Sequence, residues 1–170
     1  MMGGDELAMN QERMTELINK AEITSVVNRY FRAIDEKDFD ARCFAALFTT
    51  EAQSIRPDGS SMVGPEKISA SLRQSFTRFE SSQHLVSGHD VSIDDGTATV
   101  RANLVAMHMW LGSNANANNT DNFFVAGGVI DAALVQVDEQ WKISKISNTV
   151  VWRAGAFKDM LQTSRLTGQD

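Results

Sequence analysis

The chain has 170 residues, of which 42% are hydrophobic and 22% charged, with a formal net charge of −6 from 16 basic and 22 acidic residues. That length fits one domain able to bury a core. An acidic balance with no Lys/Arg run excludes an electrostatic nucleic-acid footprint, and no apolar run reaches the ~18 residues that span a bilayer.

Cys43 is the single cysteine, so no internal disulfide can form; in an apolar helical run it reads as a buried, reduced thiol of a cytoplasmic protein. The opening MMGGDELAMNQERMTE is acidic and lacks the basic and apolar regions of a secretory signal. Residues 1–15 are expected to be a frayed tail, residues 16–153 a single domain, and residues 154–170 a tail with a short helix suggested by Phe157, Met160 and Leu161.

From about Glu16 the pattern turns helical, with Ile18, Ala21, Val26 and Tyr30 on one apolar stripe and Ile23, Val27 and Ile34 beside them. Asp35 closes this helix. Asp38 is placed to cap a short second helix that buries Phe39, Phe44, Leu47 and Phe48. A strand over residues 49–56 ends at Pro57-Asp58-Gly59. Gly64-Pro65 then opens a third helix, whose Ile68, Leu72, Phe76 and Phe79 recur at spacings of four, four and three and share a face. Beyond Glu80 the period becomes two, and four strands follow over residues 83–93, 97–111, 122–137 and 141–152. Asp94-Asp95-Gly96 and Asp138-Glu139-Gln140 form tight hairpins, and an asparagine-rich loop over residues 112–120 makes the third connection. Helices followed by an antiparallel sheet make an α+β domain, expected to wrap a bent sheet around a pocket.

The strand over residues 97–111 alternates cleanly, so Ala98, Val100, Ala102, Leu104 and Ala106 face inward and His108 continues their face, followed by Trp110. A buried imidazole requires a partner; a core histidine bonded to a backbone carbonyl and a site residue are equally compatible with that position. His84 opens its strand with undetermined facing, because Gly88 can carry a bulge that switches the phase. His89 reads as structural or surface, and strict alternation puts it opposite His84, a poor metal pair. Asp35, at a helix C-terminus, calls for a cationic neighbour, which a His84 imidazole would supply. Tyr30 on an apolar stripe reads as core unless its hydroxyl finds a partner. The Gly127-Gly128 pair reads as a strand bend. No nucleophile elbow, phosphate loop or dinucleotide fingerprint is present.

The segments ITSVVNRYFRAIDEKDFDARCFAALFT, VGPEKISASL, SSQHLVSGHDVSIDDGTATVRA and DEQWKISKIS resemble, in order and spacing, the SnoaL-like branch of the NTF2-like superfamily. That branch includes scytalone dehydratase, and bile-acid dehydratase and gamma-hexachlorocyclohexane dehydrochlorinase are similar. The resemblance implies a cone-shaped α+β fold with three N-terminal helices on a strongly bent mixed or antiparallel sheet around a central pocket. It further implies a cofactor-independent, metal-free lyase of dehydratase type acting on a small hydrophobic cyclic, polyketide-like or steroid-like carbonyl compound. By the same resemblance His84 is the general base oriented by Asp35. His108 or Tyr30 serves as proton donor, and Ile34, Phe123, Asp131, Trp110 and Trp152 line the pocket with Phe124.

A cyclase or isomerase could use the same dyad, and some members of the superfamily are non-catalytic subunits. The sequence departs from scytalone dehydratase at Ile34, where that enzyme has a tyrosine, and on the third strand of the run, where Ile130 and Asp131 fall near an expected asparagine. A homo-oligomer is expected, with a trimer preferred to a dimer.

Overall fold

The computed structural model describes residues 4–112 and 122–156. The loop expected over 112–120, beyond Gly112, and the C-terminal helix expected around Phe157 lie outside those residues. Three helices precede most of the sheet: α1 (Gly4–Asp35), α2 (Ala41–Leu47) and α3 (Pro65–Phe76). The strands are β1 (Phe48–Ile55), β2 (Ser61–Val63), β3 (Phe79–Asp94), β4 (Thr97–Trp110), β5 (Phe123–Val137) and β6 (Gln140–Gly155). They form one mixed sheet in the order β2-β1-β6-β5-β4-β3, antiparallel except where β1 runs parallel to β6. Short β2 pairs with the end of β1 and had no counterpart in the sequence pattern.

α1 starts twelve residues ahead of the apolar periodicity because its first half buries no large apolar side chain. Its core stripe is Ile23, Val26, Val27, Tyr30, Phe31 and Ile34. Ile18 and Ala21, placed on that stripe by sequence, instead face outward. The helix ends in a Schellman motif: the Asp38 N–H donates to Ala33 O (2.8 Å) and the Lys37 N–H to Ile34 O (3.1 Å), with Lys37 left-handed at φ 55°. Asp40 rather than Asp38 caps α2, its carboxylate accepting from the Arg42 N–H at 2.8 Å.

Both tight hairpins have left-handed central residues, Asp95-Gly96 and Asp138-Glu139, as two-residue turns that follow the sheet twist require. On β4 the even-numbered face is buried from Ala98 to His108. On β3 the register shifts between Ser87 and Asp90, and Gly88 sits there at φ 63°, so a bulge does switch the phase. Before it, His84 and Val86 lie opposite the inward Ala106 and Leu104; after it, Val91 and Ile93 lie opposite Val100 and Ala98. His89 follows the phase of Val91. It therefore shares the face of His84, which corrects the expectation of opposite faces.

Candidate active site

The end of α1 is clamped to the start of β3. The Lys37 ammonium, projected backwards by its left-handed backbone, donates to the carbonyls of Phe79 (2.7 Å) and Glu80 (3.1 Å). This brings Asp35 against Ser82 and His84. The His84 ring Nδ1 lies 2.6 Å from Asp35 Oδ1, the His84 backbone N–H donates to Oδ2 at 2.8 Å, and the Ser82 hydroxyl donates to Oδ1 at 2.9 Å. Burial pushes the Asp35 carboxyl up, but the His84 ring and backbone and the Ser82 hydroxyl outweigh it and hold the group below the usual carboxylate range. Because an ionised carboxylate only accepts, His84 Nδ1 carries the hydrogen, and in the neutral ring this tautomer leaves the lone pair on Nε2. Ser82 had not been singled out in the sequence, although its spacing of two from His84 places it on the same face.

The His84 side chain is 6% exposed and lies against Phe31 (ring centroids 5.4 Å), Phe76 (6.0 Å) and, edge-on, His108 (5.5 Å). His108 is stacked on Phe124 at 4.3 Å and also touches Phe79 at 4.7 Å. Among the described residues its Nδ1 is buried without a hydrogen-bond partner. Desolvation, reinforced by the His84 charge and only partly opposed by Asp35, pushes its pKa down to about 3, so the ring is neutral at physiological pH. The site thus combines a carboxylate-bound imidazole with a second, neutral imidazole in an aromatic enclosure.

The remaining predicted residues divide. Tyr30 is a core residue whose ring packs on Phe31, Phe44 and Phe48. Burial outweighs its bond with Ser54 and the nearby charge of Arg56 and pushes the hydroxyl up to about 12. It lies one ring away from His84, with Phe31 touching both. Ile34 is fully within the core. Trp110 touches Phe79 and Phe124 and donates its indole N–H to Ala156 O at 3.0 Å, closing one end of the enclosure.

Phe123, Asp131 and Trp152 correct the expected pocket wall. On β5, Phe124 and Ile130 face inward, so Phe123 and the exposed Asp131 fall on the outer face, Asp131 beside Arg101. A bulge in β6 brings Trp152 opposite Gly127, where its half-exposed ring covers the outer face of the sheet. Two surface grooves flank α1, one lined by Ala21, Ser25 and Asn28 and the other by Gln11, Thr15 and Ile93. Sequence reading also passed over Asn148, which pairs with Ile130 across β5 and β6. Its buried Oδ1 has no partner among the described residues and lies over Gly128 on the inner face.

Among the described residues no three His, Cys, Asp or Glu side chains gather to hold a metal. Cys43 is half-buried, and burial raises its thiol pKa. No described helix is long and apolar enough to cross a membrane.

Comparison with solved structures places the fold among known ones. A protein from Kribbella flavida is 25% identical, with a TM-score of 0.73 over 82% of this chain and 95% of that one. A candidate scytalone dehydratase from Novosphingobium aromaticivorans is 19% identical, with a TM-score of 0.72 over 85% of this chain and 91% of that one. A hexachlorocyclohexane dehydrochlorinase from Novosphingobium barchaimii is 12% identical, with a TM-score of 0.71 over 86% and 95%. An NTF2-like superfamily protein from Salmonella enterica has a TM-score of 0.64 at 16% identity, over 82% and 95%. No curated protein matches. The SnoaL-like domain model matches residues 15–147, most of the chain and all of the elements that build the dyad, and the protein belongs to the SnoaL-like domain family.

Proposed function

We propose that the protein is a cofactor-independent lyase that eliminates water from a small hydrophobic hydroxy-carbonyl compound, with the Asp35–His84 dyad as its base. The observation that carries this reading is the 2.6 Å contact between His84 Nδ1 and an Asp35 carboxylate that also accepts from Ser82 and from the His84 backbone. A carboxylate bound in this way fixes the tautomer and stabilises the imidazolium that forms when Nε2 takes a proton from carbon next to a carbonyl. Neutral His108, beside His84, donates a hydrogen bond to the enolate oxygen; the His84 imidazolium then returns its proton to the departing hydroxyl as the C–O bond breaks, so that water leaves and the base is regenerated. The surrounding Phe76, Phe79 and Phe124 rings exclude water and select an apolar, cyclic, polyketide-like or steroid-like skeleton. Tyr30, buried with a raised pKa, is not assigned a proton transfer. The similarity to a candidate scytalone dehydratase and to a dehydrochlorinase supports elimination as the reaction class.

The same base would start a cyclisation or isomerisation, which conserve substrate mass, so loss of 18 Da from the product distinguishes elimination from both. The outer sheet face presents Leu85, Met107 and Trp152 to solvent. It is the surface on which a homo-oligomer, a trimer ahead of a dimer, would close, in the cytoplasm.

The test is a panel of cyclic and polyketide-like β-hydroxy carbonyl compounds, followed by ultraviolet absorbance of the conjugated product and by mass. Turnover by the wild type, lost in both His84→Gln and Asp35→Asn, is the expected result. Turnover that survives both substitutions would remove the dyad from the reaction, and a wild type inert on the whole panel would favour a non-catalytic binding subunit.

A further inference from the structure

The dyad leaves unexplained why α1 continues for about five turns ahead of its first buried residue, Ile23. The first half of the helix exposes Leu7, Met9, Met14, Leu17 and Ile18, each more than half accessible. An isolated helical arm of this length is marginal in water, so its apolar face requires a cover.

The face opposite the core stripe carries a regular seam. Leu7, Gln11, Met14, Ile18, Ala21, Ser25, Asn28 and Arg32 follow one another at spacings of 4, 3, 4, 3, 4, 3 and 4, the seam repeat of paired helices, and all eight are exposed. Large side chains occupy its N-terminal half. In its C-terminal half, Ala21, Ser25 and Asn28 line a groove of about 320 Å³ with Thr24, Arg29 and Arg32.

We propose that this seam pairs antiparallel with α1 of a second copy of the chain, about a two-fold axis between Ile18 and Ala21. The spacings read the same in both directions, so an antiparallel pair sets Leu7 opposite Arg32, Gln11 opposite Asn28, Met14 opposite Ser25 and Ile18 opposite Ala21. Each apolar side chain of the first half then meets a small or long polar one, and the helix spacing stays constant along the seam. A parallel pair would crowd large against large at one end and leave small against small at the other. Charge favours the same arrangement. Asp5 and Glu6, next to Leu7, come alongside Arg29 and Arg32 of the other copy, whereas a parallel pair would set like charges together. The contact is isologous and closes on itself, as a two-fold dimer interface must. It lies on the opposite side of α1 from the core stripe and does not depend on the dyad.

The experiment is light scattering of the full 18.7 kDa chain at micromolar concentration, wild type against Met14→Lys/Ile18→Lys. Both sites are exposed and lie outside the core, so near-ultraviolet circular dichroism should show an intact core even where the uncovered arm loses helicity. The substitutions should halve the mass of the assembly, whatever contacts on the sheet face also contribute. Oxidation of Met14→Cys/Ser25→Cys should then link two chains covalently, while Met14→Cys alone should not. A monomeric wild type, a folded double-lysine variant of unchanged mass, or linking by Met14→Cys alone would each overturn the antiparallel pair.

Discussion

His84 meets both oxygens of a single carboxylate, its ring nitrogen on Oδ1 and its backbone N–H on Oδ2 of Asp35. The first contact sets the tautomer, and the second fixes the strand that carries the ring. A side chain at the C-terminal end of a helix, where the dipole disfavours an anion, is therefore stabilised entirely from the neighbouring strand.

Asp35→Asn keeps the shape but replaces one acceptor oxygen with an amide donor facing a donor. Catalysis of the proposed elimination should fall by about 10²–10⁴-fold, the range for a positioned general base. Stability should fall by about 1–3 kcal/mol, because a partly buried hydrogen-bonding group is left unmatched. Urea unfolding read by tryptophan fluorescence measures the second effect without any substrate. An unchanged midpoint would mean that the three bonds to Asp35 are not maintained in solution.

Ser82→Ala removes one bond from Asp35 Oδ1 and leaves both His84 contacts in place. Asp35 should hold the imidazole less firmly, so kcat should drop by several-fold with KM unchanged. Stability should stay within about 1 kcal/mol of the wild type. A KM effect without a kcat effect would make Ser82 a substrate contact instead of a positioning residue.

Much of this arrangement could be read from residue order. The alternation of β4 placed His108 inward, and the helical period of α1 ended at Asp35, next to a junction that needed a cation. The facing of His84 could not be read, because the bulge at Gly88 resets the phase of β3 and only the register with β4 shows which side Leu85 takes. The errors at Phe123, Asp131 and Trp152 have the same origin. A bulge in β6 lies between Val150 and Trp152, and β5 follows the parity of Phe124, so the wall expected on the inside is on the outside. Residues 4–15 read as a tail in the sequence because they bury no side chain, although they form the start of α1. The Lys37 clamp was not legible either, since it depends on a left-handed residue forty-two positions from its acceptor.

His108 makes stability depend on pH. Its folded pKa, about 3, lies below the ordinary histidine value of 6.5, so between these values the unfolded chain binds the proton and the folded one does not. Its contribution is complete above pH 6.5 and is lost as pH falls towards 3. Asp35, also lowered, loses its contribution only below the usual carboxylate value of 3.8, so the two windows separate between pH 6.5 and 4. The urea midpoint of the wild type should fall relative to that of His108→Phe as pH drops through that interval. Parallel curves would show that His108 is solvated or paired in solution.

Gly127 and Gly128 face opposite sides of β5, and their substitution should cost different amounts. A Cβ on Gly127 would lie 2.0 Å from the Trp152 ring, while one on Gly128 would lie 2.5 Å from the backbone oxygen of Thr149 and 3.1 Å from Asn148 Oδ1. The Trp152 ring is half-exposed and can swing out into solvent, so Gly127→Ala should be mild and should shift tryptophan emission to longer wavelength. The Thr149 carbonyl belongs to the strand itself and cannot move without distorting the β5–β6 pairing. Gly128→Ala should therefore cost about 1–3 kcal/mol, the range for an overpacked interior. Because the added methyl also crowds Asn148 on the inner face, this variant should weaken binding of an apolar ligand. Differential scanning calorimetry of the two variants checks the order. If Gly127→Ala is the more damaging, Trp152 is locked in place, as it would be when a second copy covers the outer face of the sheet.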